Sequence, residues 1–508
     1  MTVNIIRHIQ YFNKIGNCIL KTKRFYSVNS ITQPTIYALS TKFGTSAIGV
    51  VRVSGPQSTY VFDKLTKSKR IPDPRKATVK KLYSPTSGIL LDEALTIFFE
   101  LPNSYTGENL LEFHLHGGVA IIRSVIKAIK DLHEPSKGIY LRYAEHGEFS
   151  RRAFINGKFD LTEIEGIRDV INAETESQRI AALVSSTGGT KQLFHKWREQ
   201  IVQNIALMTT VIDFGEDHDI EEVDALFEMV SCNITKLSEE MKAYLRKVQG
   251  SEILLKGIKL TLVGPPNAGK SSLLNFLANK DAAIVSEIAG TTRDIIDIPL
   301  DINGYKVVVG DTAGIRSLST ANPIEEEGIK RAKNKSLLGD FVLLVLPVDQ
   351  FDEIGDLVDH IDLLKKENKK FLVVLNKEDL LNGPNQRETI LKKYSSILDL
   401  PKSKFFFVSS ITGRGIPGLT EAITTEFKSL ALSSESDPIV VSNRIQDLIE
   451  NDILHGFNQF FIWKKEDDIV LASECLKQSI EGIGKITGEG VGVEEILGVV
   501  FSSFCIGK

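Results

Sequence analysis

The sequence predicts a multidomain chain that combines α/β and all-α architecture, with one α/β domain spliced into a helical one. Three observations lead there. Residues 255–430 alternate short apolar runs with helical stretches, the pattern of a mainly parallel sheet covered by helices. Strand signals vanish over residues 160–250 and again after 430, where helix formers dominate. Residues 35–150 mix both kinds of element, with β-branched and aromatic residues enriched in several short runs. Helical segments on both sides of an α/β region imply an insertion, and 508 residues suffice for about three domains.

The elements follow in order. Runs at 35–40, 48–53, 94–100 and 110–116 predict strands; Leu111, Phe113 and Leu115 alternate, so one face of the last is buried. Gly117-Gly118 breaks it, and 119–132 carries helical spacing. Ile164, Ile167 and Ile171, then more loosely Leu226, Met229, Ile234 and Leu237, predict at least two long helices around a break near 213–219, with Gly250 as a helix stop. Strands are expected at 258–263, 307–309, 341–348, 371–375 and 405–408, and helices after a linker at 433–438. The resulting division is 34–150 (α/β), 151–250 (helical, first part), 255–430 (α/β, inserted) and 431–508 (helical, second part).

Composition narrows the function. Hydrophobic residues make up 42% and charged residues 25%, so ordinary large cores can form without disulfides or metals. The longest apolar run, Phe341-Val342-Leu343-Leu344-Val345-Leu346, falls far short of the roughly 18 residues of a membrane span. Cys18, Cys232, Cys475 and Cys505 form no CxxC or zinc spacing, which fits a reducing compartment. No Asp or Glu precedes Asp63, and residues 1–26 interleave Arg7, Lys14, Lys21, Lys23 and Arg24 with apolar residues. That is the composition of a mitochondrial presequence, with Arg24-Phe25-Tyr26-Ser27 as the processing site and cleavage after Tyr26. Its removal takes five positive charges from a chain of net charge −4, leaving −9. The mature chain is therefore no globally basic nucleic-acid binder; any RNA must meet a local patch or a partner.

The inserted domain carries the chemistry. Gly264-Pro265-Pro266-Asn267-Ala268-Gly269-Lys270-Ser271 fits G-x-x-x-x-G-K-[ST] between a predicted strand and a predicted helix. Its backbone, through Gly264, Ala268 and Gly269 and on to Ser272, surrounds phosphate oxygens; Lys270 supplies a point charge and Ser271 a hydroxyl for Mg²⁺. Asp311-Thr312-Ala313-Gly314 supplies an aspartate toward Mg²⁺ and a backbone that senses the γ-phosphate. In Asn376-Lys377-Glu378-Asp379, Asp379 can accept from guanine N1–H and the 2-amino group, which selects GTP over ATP. Ser409-Ser410-Ile411 falls where a guanine-supporting loop belongs. Between the first two motifs, Gly290-Thr291-Thr292-Arg293-Asp294 offers Thr292 as a Mg²⁺ ligand, with Thr291 the alternative. Five motifs in order predict a GTPase. Ile315 occupies the position where regulatory GTPases carry the water-orienting glutamine, so another group must do that work. Asn267 either caps its loop or holds a monovalent cation, and Glu325-Glu326-Glu327 is either a solvated face or a source of the water-orienting carboxylate.

These motifs and both flanks resemble the MnmE (TrmE) family of tRNA-modification GTPases from about residue 34 to the end. The most specific segments are Arg52-Val53-Ser54-Gly55, Ser104-Tyr105-Thr106-Gly107-Glu108, His116-Gly117-Gly118, Gly147-Glu148-Phe149-Ser150, Arg152-Ala153-Phe154-Ile155-Asn156-Gly157-Lys158 and Phe504-Cys505-Ile506-Gly507-Lys508. With the presequence, the chain looks like the mitochondrial member, placed in the matrix or peripherally on the inner membrane. The resemblance implies a Ras-like P-loop domain and an N-terminal domain that dimerises and binds a 5-formyl- or 5,10-methylene-tetrahydrofolate, with Arg52, Glu108 and Lys158 as contacts. It also implies G domains that pair across a homodimer with K⁺, held by Asn267, in place of an arginine finger. Glu325 then orients the water, Arg293 stabilises the paired state, and Cys505 is a functional residue of unassigned chemistry. The implied partner is an FAD- and NADH-dependent protein (MnmG, or GidA-like); this chain has no G-x-G-x-x-G fingerprint of its own after a suitable strand. Together the two would install an aminomethyl-type group on C5 of the wobble uridine of mitochondrial tRNAs. A ribosome-assembly switch or a dimeric scaffold are the competing readings; the acidic mature chain and the flanks argue against the first.

Overall fold

The computed structural model describes residues 33–508 except 71, 215–219, 266, 280–297, 310–338, 350–354, 382, 432–440, 490–496, 498–499, 503, 505 and 508. The chain forms two compact units, one made of the chain up to Lys158 together with 498–508, the other of 159–497.

The N-terminal unit is built on six strands: β1 (Thr35–Leu39), β2 (Ile48–Ser54), β3 (Thr78–Tyr83), β4 (Leu90–Phe99), β5 (Leu110–His116) and β6 (Leu141–Tyr143). Their order is β3-β4-β5-β2-β1-β6, antiparallel except for the β1–β6 pair. Helices α1 (Ser58–Thr66) and α2 (Val119–Lys130) bury Phe62, Val125 and Ile129 with Val51, Phe113 and Leu115. The period-two expectation for Leu111, Phe113 and Leu115 therefore holds. Helix α3 (Glu148–Ile155) sends Phe149 into a second cluster with Ile36, Ala38 and Leu110. Strands β3 and β6 lie outside the predicted set. β3 carries Lys80-Lys81 at its centre, as an edge strand tolerates and a central strand does not. The terminal residues join this unit rather than the helical one. Ile506 bridges to His146, Phe504 O meets His146 Nδ1 at 2.9 Å, and Ser40 Oγ donates to Gly507 O at 2.9 Å.

The second unit opens with α4 (Leu161–Asn172), whose start is fixed by a capping box of Asp160 and Glu163. α5 (Glu176–Ser186), α6 (Gly189–Phe214) and α7 (Ile220–Lys256) follow. Helix α7 runs through Gly250, correcting the predicted stop. It ends before Gly257, whose φ of +87° supplies the left-handed exit that the later site provides. Six strands later in the chain, helical structure resumes with α12 (Asn443–Leu448), a π-turn at Ile449–Leu454, α13 (His455–Lys465) and α14 (Ile469–Thr487). Trp197 packs edge-to-face on Phe194 and Tyr244, and the same core receives Phe457, Phe460 and Leu476 from the later segment. One core from two distant chain segments is the insertion predicted above. The re-entry point is clasped: Arg444 donates from Nε and Nη2 to the two oxygens of buried Glu165 at 3.0 and 3.1 Å, and to the carbonyls of Lys485 and Ile486.

The inserted α/β domain has β7 (Ile258–Val263), α8 (Lys270–Asn279), β8 (Ile298–Ile302), β9 (Tyr305–Val309), β10 (Phe341–Pro347), α9 (Gly355–Lys366), β11 (Lys370–Asn376), α10 (Pro384–Ile397), β12 (Phe405–Phe407) and α11 (Ile416–Ala431). The sheet order is β12-β11-β10-β7-β9-β8, parallel throughout except for the β8–β9 hairpin. The fully buried β10 has apolar clusters on both faces, one holding Phe341 and Phe427, the other Val342 and Tyr394.

Candidate functional site

Three loops meet at the carboxyl ends of β7, β11 and β12, where an open parallel sheet places its ligands. The first leaves β7 at Val263 and enters α8 at Lys270. Asn267 and Gly269 both adopt left-handed conformations, with φ of +57° and +85°. A Cβ on Gly269 would lie 2.1 Å from Asn376 Nδ2, so only glycine fits beneath that amide. Lys270 Nζ donates to the carbonyls of Gly264 and Pro265, both at 2.8 Å, which ties the ammonium to the loop it closes. Ser271 and Ser272 occupy the first turn of α8, where free backbone N–H groups and the helix dipole favour phosphate.

Asn376, at the end of β11, joins the three loops. Its Nδ2 donates to Ala268 O at 2.8 Å, while its Oδ1 accepts from Ser410 N at 3.2 Å and Ser410 Oγ at 2.9 Å. Lys377 is left-handed, and its Nζ lies 3.3 Å from both oxygens of Asp349. Asp379 Oδ1 accepts from Ser409 Oγ at 2.5 Å, and Ser409 Oγ also takes the Thr412 N–H at 3.2 Å. The carboxylate expected to read guanine is thus oriented by a fully buried serine from the third loop. Between these two residues, Glu378 turns inward, paired with Arg387 at 3.1 Å. Neither Asp349 nor Arg387 was legible as a site residue, because each acts through a partner distant in sequence. Thr291, Thr292, Arg293, Asp311, Thr312, Ala313, Gly314 and Glu325 lie outside the described residues, as does Cys505.

In the N-terminal unit, Arg52, Glu108 and Lys158 all engage the segment 101–109 between β4 and β5. Arg52, opposite Glu112 in the β2–β5 register, donates from Nε to Glu112 Oε1 at 2.8 Å, with its guanidinium 5.8 Å from the Tyr105 ring centre. Glu108 accepts from Ser54 Oγ at 2.7 Å and from Arg152 Nη1 at 3.1 Å. Lys158 Nζ donates to Pro102 O at 3.0 Å. Sequence reasoning named Arg152 only within a motif. It is nearly fully buried, bridges Glu108 and Glu148, and leaves its own Nε without a partner. Burial raises the Glu148 carboxyl, but the hydrogen bonds from Arg142 and the Glu145 backbone, with the Arg152 charge, outweigh it and hold the group below its ordinary value. Burial pushes the Tyr105 phenol up, against its bond to Ser150 and the Arg52 charge. Arg52, Glu108, Arg152 and Lys158 are thus each held by fixed partners in or beside this segment.

Comparison with known proteins covers nearly the whole chain. A family model described as the TrmE N-terminus of a GTP-binding protein matches residues 35–158, and one described as the MnmE helical domain matches 161–505. The chain is 45% identical over 494 residues to the mitochondrial tRNA modification GTPase MSS1 of Saccharomyces cerevisiae, covering 94% of this chain and 93% of that one. It is 39% identical over 476 residues to the tRNA modification GTPase MnmE of Rickettsia typhi, covering 93% and 100%. It is 36% identical over 484 residues to the mitochondrial 5-taurinomethyluridine-[tRNA] synthase subunit GTPB3 of Homo sapiens, covering 93% of both.

Proposed function

The chain belongs to the MnmE (TrmE) family of tRNA-modification GTPases, and on that premise we propose that it is the GTP-hydrolysing component of a two-protein complex modifying mitochondrial tRNA. The group installed is an aminomethyl-type substituent, carboxymethylaminomethyl or taurinomethyl, on C5 of the wobble uridine, with a tetrahydrofolate as one-carbon donor. An FAD- and NADH-dependent protein is the partner, and the complex works in mitochondria.

The observation that carries the nucleotide reading is the three-loop junction at Asn376, with Asp379 oriented by Ser409. Lys270 neutralises β- and γ-phosphate charge, and Ser271, Thr292 and Asp311 are the Mg²⁺ ligands. Gly269, packed beneath the Asn376 amide where only glycine fits, lets the loop turn into α8, whose N-terminus suits a phosphate. Asn267 faces solvent in a left-handed conformation, as suits a K⁺ ligand shared with a second G domain. Glu325 orients the attacking water and Arg293 stabilises the paired G domains. Arg52 and Lys158 receive the folate's glutamyl carboxylates, while Glu108, with acceptor capacity beyond its bonds to Arg152 and Ser54, takes the pterin's donors. Cys505 belongs to the same machinery.

Two further features fit a GTPase that acts as a dimer and is coupled to its helices. The outer sheet face keeps Val79 (62% exposed) directly opposite Leu95 on β4, a surface suited to a second copy of the unit. The β8–β9 hairpin, which joins the segments bearing Thr292 and Asp311, is bonded to the helical segment. Ser177 donates from N and Oγ to Gly304 O at 3.2 and 2.7 Å, and Lys306 pairs with Glu174. This hairpin is the route by which a change at the nucleotide reaches the helices.

The test is GTP hydrolysis by the full chain in KCl against NaCl, with and without Asn267→Ala. A rate at least tenfold faster in K⁺, with that preference abolished by the substitution, is the expected outcome. Equal rates in both salts remove K⁺ and paired G domains from the account.

A further inference from the structure

The chain is acidic overall, yet one stretch of the N-terminal unit reverses that sign. Between Lys64 and Lys81 there are eight Lys and Arg residues and a single acid, Asp73. Lys64 and Lys67 stand at the end of α1, with Lys69 and Arg70 in the loop that follows. Arg75 and Lys76 precede β3, and Lys80 and Lys81 lie on it. All are exposed except Lys80, which is half-buried. Asp73 is the one carboxylate among the described residues that pairs with the cluster, at 3.5 Å to both Arg70 and Lys76, too long and too exposed to neutralise either.

Edge-strand protection accounts for lysines on β3, since β3 ends the sheet. It does not account for the six cations on α1 and the loops. Two aromatic rings are interleaved with them: Lys67 Nζ stands 4.1 Å from the Tyr83 ring centre, and Lys64 Nζ 5.4 Å from that of Tyr60. Beside them a cavity of about 220 Å³ is lined by Tyr60, Phe62, Asp63, Ser68, Lys69 and Arg70. Clustered cations with interleaved rings are the footprint of a phosphate backbone, with rings at hand for an unstacked base.

We propose that this surface, from the end of α1 across the loop to β3, is where the chain holds the phosphate backbone of its tRNA. The inference rests on the tRNA-modification reading and adds to it the location and chemistry of the contact. The substrate is a polyanion and the chain carries a net negative charge, so any contact this chain makes with it needs a local basic surface. The cations fix position on the backbone and carry little sequence selectivity.

The test uses the full chain and a transcript of a mitochondrial tRNA bearing uridine at the wobble position. Binding is measured between 50 and 200 mM KCl for wild type, for the fourfold variant Lys64→Ala/Lys67→Ala/Lys69→Ala/Arg70→Ala, and for Lys127→Ala/Lys130→Ala on α2 as a control for charge alone. The expected result is affinity at least ~10-fold lower in the fourfold variant. The slope of log K against log salt should be shallower by up to about 3–3.5, at roughly 0.7–0.9 for each of four lost phosphate contacts. The α2 control binds as wild type, and GTP hydrolysis is unchanged in all three. Wild-type affinity and slope in the fourfold variant overturn the inference. So does a variant that still binds tRNA but no longer associates with the flavoprotein, since the surface then serves an acidic protein. Wobble-nucleoside analysis in cells lacking the chain judges the underlying reading separately: modified wobble uridines that persist there sink that reading, whereas their loss beside normal tRNA binding by the variant sinks only this surface.

Discussion

Asn376 shows how one residue serves both the fold and the site. Its amide uses donor and acceptor together, so the loop before α8 and the Ser409-Ser410 loop are tied to one side chain. The motif in the sequence makes the residue visible but not this role, because the amide's partners lie 108 and 34 residues away. Asp379 stands out in the sequence for the opposite reason: a carboxylate at that place in the motif is suited to accept both guanine donors. Asp379→Asn replaces an acceptor by a donor while keeping shape. The expected outcome is GTP affinity lower by about 10–100-fold, as charge-assisted hydrogen bonds worth about 1.5–3 kcal/mol are lost. Xanthosine triphosphate, with a carbonyl where guanine has its amino group, should gain relative to GTP. Nucleotide titration by fluorescence checks both, and unchanged preference would mean that the base sits elsewhere.

At the scale of elements, the sequence reports most where a pattern is strong and local. The parallel strands of the inserted domain read correctly because β10 and β11 are buried runs of Val, Leu and Phe. β8 was missed because Ile298-Pro299-Leu300-Asp301-Ile302 holds a proline, which the edge of the sheet accepts since its N–H is not needed there. The exit of α7 at Gly257 was misplaced to Gly250, because a glycine inside a long helix looks the same in sequence as one that ends it. The clasp between α4 and α12 was invisible, its partners lying 279 residues apart. Breaking it by Arg444→Ala leaves buried Glu165 without its countercharge. We expect a loss of about 3–5 kcal/mol in the stability of the helical part. Glu165→Met/Arg444→Met, which leaves no lone charge, should lose much less. Denaturant unfolding of both variants checks this, and equal losses would show that packing, not the ion pair, holds the re-entry point.

The whole molecule joins a GTPase domain to an N-terminal unit that gathers Arg52, Glu108 and Lys158 around one segment. The insertion was legible because helical periodicity stops at one end of the α/β pattern and resumes at the other. That the last residues belong to the N-terminal unit was not, because Ile506 and Gly507 meet His146 and Ser40 across almost the entire chain. Phe504, Ile506 and Gly507 therefore have a structural reason in their contacts with His146 and Ser40, apart from any chemistry of Cys505.

We propose that this GTPase drives modification of mitochondrial wobble uridines. The most direct test is mass spectrometry of wobble nucleosides from mitochondrial tRNA in cells with the chain, without it, or with Asp311→Asn. The account predicts that a C5-substituted uridine disappears in both deficient cases, and its mass identifies the attached amine as glycine or taurine. Unchanged wobble uridines in both would contradict the account and leave a GTPase serving some other process.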